Sequence, residues 1–76
     1  MSEAEWLDIF GDNLDQMLYE ANMTQRELSE TTFINESTIS RYISKQRIPN
    51  IKHIISIAYA LDCSVGDLID FGDLIE

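Results

Sequence analysis

The sequence predicts an all-α fold, a compact bundle of five helices in a single domain spanning residues 1–76, and three observations lead to it. Apolar residues recur at three- and four-residue steps along most of the chain. No stretch alternates with the period of two that a half-buried strand requires. Ser, Thr or Asn stands where each helical segment should begin, and these residues are strong helix N-caps. Hydrophobic residues supply 45% of the chain and charged residues 25%, a globular balance that argues against disorder. A chain of 76 residues has room for one modest core, burying roughly 60% of the surface its unfolded form exposes.

The first helix is expected to start at Ser2, which with Glu5 makes the S-x-x-E of a capping box; acidic residues in that turn suit the positive end of the helix dipole. Trp6, Phe10, Leu14, Met17, Leu18 and Ala21 then give one apolar face, ending near Asn22, which tolerates the left-handed conformation common after helices. Thr24 and Glu27 form a second capping box, opening a short helix that turns Leu28 inward and runs to about Thr31. After Thr32-Phe33-Ile34, Asn35 is the expected cap of a third helix. Ile39, Tyr42 and Ile43 face its core side, and Glu36, Ser37, Ser40, Arg41 and Ser44 face outward. Pro49 forbids continuation, and Asn50 caps a fourth helix with a broad apolar stripe of Ile51, Ile54, Ile55, Ala58 and Leu61. Ser64 and Asp67 cap a final short helix carrying Val65, Leu68 and Ile69.

The formal net charge is −9, but it is unevenly spread. Residues 1–23 carry six acids and no base, and residues 54–76 carry five acids and no base. All five cations, Arg26, Arg41, Lys45, Arg47 and Lys52, fall in residues 24–53 against Glu27, Glu30 and Glu36, leaving that segment at +2. The chain is an acidic body with one mildly basic segment, and that segment is the candidate contact surface.

Several function classes are set aside at this level. One cysteine makes no internal disulfide, and one histidine with one cysteine does not supply a zinc site, so no metal or cofactor is expected. Cys63 reads as a half-buried packing residue, since the anionic Asp62 beside it opposes thiolate formation. No nucleophile–base pair or phosphate loop occurs at recognisable spacing, which argues against an enzyme. The longest apolar runs fall well short of the roughly 18 residues of a membrane span, and the N-terminus lacks a basic region followed by an apolar one. The expectation is a soluble cytoplasmic protein with no membrane partner. Trp6 and Tyr42 are assigned to the core or its edge, and His53 to a rim position.

From Phe10 to Ile69 the order and spacing of particular residues form a pattern. Phe10-Gly11 and Leu14 stand in the first helix, Thr24-Gln25 and Leu28 in the second, and Ile34 with Ser37-Thr38-Ile39-Ser40-Arg41-Tyr42 in the third. Arg47-x-Pro49, Ile57-Ala58-x-Ala60-Leu61 and Ser64-Val65-x-Asp67-Leu68 follow. This pattern resembles the Cro/repressor-type, or Xre-like, helix-turn-helix family. The resemblance implies a lambda-repressor-like five-helix fold whose second and third helices form the helix-turn-helix. In such a unit the second helix of the pair enters the major groove while the first bridges the phosphates. It further implies a sequence-specific regulator of transcription that binds double-stranded DNA, most simply a repressor, with residues 35–45 as the groove-entering helix.

Base contacts are then expected from Glu36, Ser37 and Arg41, with Asn35, Thr38 and Ser40 close by. Arginine grips guanine through two acceptors, glutamate accepts from the cytosine amino group, and serine is adaptable. Phosphate contacts are expected from Gln25, Lys45, Gln46, Arg47 and Lys52. Phe33 and Lys45 stand where this family often has glycine; a phenylalanine at positive φ is strained, which points to a reshaped turn. Five cations limit phosphate neutralisation by one copy, so a homodimer is expected, with Ile69, Phe71, Leu74 and Ile75 as its candidate interface. The acidic surface leaves a second reading open, a protein-interaction module of antitoxin or inhibitor type that keeps the scaffold without binding DNA.

Overall fold

Each helix starts where its capping residue predicts. The computed structural model describes residues 2–69, with α1 Glu3–Glu20, α2 Gln25–Thr32, α3 Glu36–Ile43, α4 Ile51–Ala60 and α5 Val65–Leu68. Ser2 with Glu5, Thr24 with Glu27 and Ser64 with Asp67 all close reciprocal capping boxes, and Asn50 accepts from the His53 amide at 2.8 Å. The exception is Asn35, which precedes α3 with no side-chain cap bond.

Three helices stop in the same way. Asn22, Lys45 and Asp62 take positive φ, and the next amide reaches back to the helix: Met23 to Leu18 O, Gln46 to Arg41 O and Cys63 to Ala58 O, at 2.8–3.0 Å. This left-handed closure satisfies carbonyls that a helix end otherwise leaves orphaned.

The turn between α2 and α3 keeps the left-handed conformation instead of being reshaped. Phe33 adopts φ 62° and ψ 20°. Local hydrogen bonds hold it there: the Phe33 amide donates to Ser29 O, the Ser29 hydroxyl to Ile34 O at 2.5 Å, and the Ile34 amide to the Thr32 hydroxyl at 3.3 Å. The Phe33 ring is 93% exposed and offsets none of the backbone cost. Replacing Phe33 with Gly is expected to stabilise the fold by up to about 1 kcal/mol, the left-handed cost less the extra freedom gained by the unfolded chain. Urea denaturation measures this; a loss of stability would mean that the exposed ring is supporting the turn.

Packing joins α1 to α3 and α5, α2 to α3 and α4, and α4 to α5. Phe10, Leu14, Leu28, Ile39, Ile57 and Leu68 are fully buried, with Tyr42 among them. The Asn13 amide ties α1 to α5 by donating to Leu68 O at 2.9 Å. Trp6 is half-buried and stacks on Phe10, Phe10 meets Tyr42 edge-on, and the Tyr42 ring meets His53 edge-on. That run of rings connects α1 through α3 to α4.

Three further expectations are corrected. Ala21 is exposed as the cap residue of α1. Ile51 and Ile55 are exposed instead of joining the core face of α4, where Ile54, Ile57 and Ala58 are buried. His53 is not merely a rim residue, because its Nδ1 lies 2.6 Å from the buried Tyr42 hydroxyl. Ile69, expected at a dimer interface, is half-buried and packs on the molecule's own core, while Phe71, Leu74 and Ile75 lie outside the described residues. Cys63 is half-buried as expected, and burial with Asp67 and Asp62 nearby raises its thiol pKa, the reverse of activation.

Candidate nucleic-acid interface

The outward face of α3 is built by subtraction. Ile39 and Tyr42 are held in the core, and one turn of helix carries Glu36, Ser37, Ser40 and Arg41 to the opposite, exposed side. Thr38 is half-buried and turned partly toward the body. Among the described residues Arg41 forms no ion pair, so its guanidinium is uncommitted. Asn35 is exposed at the start of the helix, and its amide group is not spent on capping. A side-chain amide of that kind can pair with adenine through two hydrogen bonds, and Arg41 with guanine. The residues assigned to base contact thus share one surface, with Thr38 at its edge.

α3 is held on both sides. The Tyr42 hydroxyl and His53 Nδ1 connect its C-terminal half to the first turn of α4. Burial pushes the Tyr42 phenol up from its ordinary pKa, with Arg47 acting weakly the other way, so it remains neutral and bonded across the physiological range. Replacing Tyr42 with Phe is expected to cost about 1 kcal/mol by removing a part-buried hydrogen bond while keeping the ring packing. A melt that matches wild type would show that solvent replaces this bond without loss.

At the other end of the recognition unit, Gln25 is half-buried in the first turn of α2. Gln46 and Arg47 are exposed on the segment leading into α4, and Lys52 is exposed in its first turn. They remain open to phosphate oxygens. Lys45 is different: its Nζ lies 2.8 Å from Asp12 and 3.2 Å from Asp8, both on α1. Hydrogen bonds from Asp12 and then Asp8 raise its pKa. Because the folded pKa is the higher one, this contribution is fully present below the ordinary lysine range and is lost only as pH rises through the raised value.

Gly11 makes that arrangement possible. A Cβ there would stand 2.9 Å from Lys45 Cγ, 2.9 Å from Tyr42 O and 3.0 Å from Ile43 O. The end of α3 therefore lies against bare α1 backbone. Gly11 is visible in the sequence as part of the motif Phe10-Gly11, but its role appears only in the fold; the Lys45 clamp has only a weak sequence signal, Asp8 and Asp12 one turn apart.

Charge along the chain favours this face. From Ser37 to Leu61 there is no acidic residue, while Arg41, Lys45, Arg47 and Lys52 fall within that stretch. No helix among the described residues is long and apolar enough to cross a membrane.

Among solved structures, the chain is similar to the restriction-modification controller protein C.AhdI from Aeromonas hydrophila. The TM-score is 0.79 at 24% identity over 82% of this chain and 94% of that one, a likeness of fold. No curated protein matches the chain. The helix-turn-helix over α2 and α3, the exposed polar face of α3 and a match of the family pattern over residues 13–73 agree, and the chain belongs to the Cro/C1-type HTH DNA-binding domain family.

Proposed function

We propose that this protein is a sequence-specific transcriptional regulator that inserts α3 into the major groove of double-stranded DNA, acts as a homodimer and represses by occluding a promoter. The observation that carries the reading is the exposed, uncommitted set Glu36, Ser37, Ser40 and Arg41 on the second helix of a Cro/C1-type helix-turn-helix. Asn35 and Thr38 lie at the edges of that set. Gln25, Gln46, Arg47 and Lys52 supply phosphate contacts that position the module without reading sequence. Low non-specific affinity follows from the acidic body, which repels DNA wherever base contacts are missing. Two copies place their α3 helices about 34–36 Å apart, on successive major-groove half-sites.

Selection from random duplexes tests the reading and is expected to enrich a palindromic site. Arg41→Ala should relax preference at one position per half-site, costing about 1–3 kcal/mol at the preferred base. Lys52→Ala should weaken all sequences alike and lower the salt slope by about 1. Failure of any sequence to enrich at low salt would sink the DNA reading and leave the acidic protein-interaction module in its place.

A further inference from the structure

We propose that His53 is a further DNA contact of this protein, donating a neutral hydrogen bond from Nε2 to a backbone phosphate oxygen of the duplex. The inference deepens the DNA-binding reading above and rests on it. It starts from the single histidine of the chain, whose ring is held by a partner on another helix. His53 Nδ1 lies 2.6 Å from the Tyr42 hydroxyl, and the two rings meet edge-on with centroids 5.9 Å apart. The His53 amide donates to Asn50 Oδ1 at 2.8 Å, so the backbone that carries the ring is itself tied down. Backbone and ring are each fixed before any ligand arrives, and a contact made by such a group costs little further ordering.

The bond to Tyr42 decides which nitrogen of the ring carries the hydrogen. Tyr42 is buried and its phenol stays neutral, so its oxygen has a hydrogen to donate. Among the described residues His53 Nδ1 is the acceptor within reach of that hydroxyl. A hydroxyl that donated nowhere would leave its hydrogen unpaired against the core, which buried polar groups avoid. Nδ1 therefore accepts, and in a neutral imidazole the hydrogen then sits on Nε2. Nε2 has no hydrogen-bond partner among the described residues, and no buried side-chain nitrogen or oxygen among them lacks one, so Nε2 reaches solvent. The result is an outward donor of fixed direction.

Position selects the acceptor. Tyr42 projects from the core side of α3, away from Glu36, Ser37, Ser40 and Arg41. A group hydrogen-bonded to Tyr42 therefore stands beside the groove-entering helix and not on its reading face. From such a flank the atoms within reach are those of the strand backbone, whose contacts position a module without reading bases. The neighbours fit the same acceptor. Lys52 precedes His53 in the first turn of α4 and is exposed, and the charge of Arg47 is felt at the Tyr42 phenol. Both cations lie in the stretch from Ser37 to Leu61 that holds no carboxylate. Two cations supply charge there, and the Nε2–H supplies a directional bond.

The two ring nitrogens separate this role from one of packing alone. An asparagine at position 53 sets its amide group near the place of Nδ1, where it can still accept from Tyr42, and leaves nothing reaching outward. A glutamine sets its amide near the place of Nε2, keeping an outward N–H and giving up Tyr42. A phosphate contact therefore favours glutamine over asparagine for DNA binding, whereas a purely structural link between α3 and α4 favours the reverse. Salt separates the ring from the lysine beside it. A neutral donor displaces no counterion, so its removal leaves the salt slope unchanged, while removal of Lys52 lowers it by about 1.

Nitrogen NMR of the free protein is the first test. The imidazole is expected to carry its hydrogen on Nε2 with Nδ1 bare; hydrogen on Nδ1 would overturn the proposal before DNA is added, even if the variants fold poorly. Inorganic phosphate alone is expected to leave the His53 resonances in place, and a shift would assign the donor to a free anion instead of a duplex. The second test titrates a duplex at several salt concentrations at pH 8. His53→Asn is expected to bind about tenfold more weakly at an unchanged salt slope, and His53→Gln to lose no more than about threefold although it melts lower. The opposite order, or an unchanged affinity for His53→Asn, would overturn the proposal. Phosphate contacts are independent of sequence, so any duplex that binds serves. An enriched site that His53→Asn binds like wild type would leave the regulator reading intact and defeat this contact alone. The expected order on an arbitrary duplex, with no sequence enriched, would defeat the regulator reading alone, and a protein that binds no duplex at low salt would defeat both.

Discussion

Gly11→Ala is expected to destabilise the fold by about 2–3 kcal/mol, against the usual direction of a glycine-to-alanine change within a helix. In a helix that exchange normally gains about 0.5–1 kcal/mol. At Gly11 the gain is outweighed, because two of the three atoms that the new methyl group would meet are the backbone carbonyls of Tyr42 and Ile43, at 2.9 and 3.0 Å. A flexible side chain can swing aside, but these oxygens belong to the last turn of α3. Relief therefore requires α1 and α3 to separate, which opens the contacts among Phe10, Leu14 and Tyr42 at the centre of the core. For a domain of this size the melting temperature should fall by roughly 10–20 °C. DNA affinity should fall with it, since the shift moves the helix that carries Arg41. Gly66→Ala serves as the internal comparison: its new methyl group would meet only Ser64 Oγ, at 3.5 Å, an ordinary contact. That substitution is expected to be neutral or to stabilise by up to about 1 kcal/mol. If both variants melt alike, the close approach of α1 to α3 is not what Gly11 provides.

The contrast between these glycines marks where the sequence is legible. Helix starts are local chemistry, and Ser2 with Glu5, Thr24 with Glu27, Asn50, and Ser64 with Asp67 can be read because the partner lies three residues away. Asn35 looks the same in sequence, yet it makes no cap bond. The outer face of α3 is legible for the same local reason, since Ile39 and Tyr42 determine by helical period which residues point away. What joins distant segments is not legible: Lys45 to Asp8 and Asp12, Tyr42 to His53, and bare Gly11 against the end of α3. On α4 the apolar pattern nearly encircles the helix, and hydrophobicity alone does not say which side the core takes. Ile54, Ile57 and Ala58 turn inward because α2 and α5 pack there, leaving Ile51, Ile55 and Tyr59 outside.

Replacing both Asp8 and Asp12 with Asn is expected to tighten DNA binding about tenfold across all sequences and to steepen the salt dependence by about one unit of slope. Lys45 is one of five cations in the chain, and its ammonium is occupied by two carboxylates of α1. A phosphate oxygen must compete with both of them. Those carboxylates are themselves well exposed, at 67% and 71%, so water and salt screen the competition and keep its cost modest. Removing them releases a cation for one more phosphate contact, worth about 0.9 in slope, and takes two negative charges off a body that repels the duplex. Preference among sequences should not change, because Arg41, Ser37 and Glu36 are untouched. The Lys45 stem remains against Gly11, so the freed ammonium moves only locally. Lys45 stays protonated well beyond neutrality with or without its partners, so the gain should be the same from pH 7 to about pH 9. Titrating one duplex at several salt concentrations separates the two roles of this lysine. Affinity that is unchanged at every salt concentration, together with a lower melting temperature, would identify Lys45 as a brace between α1 and α3 and remove it from the phosphate contacts.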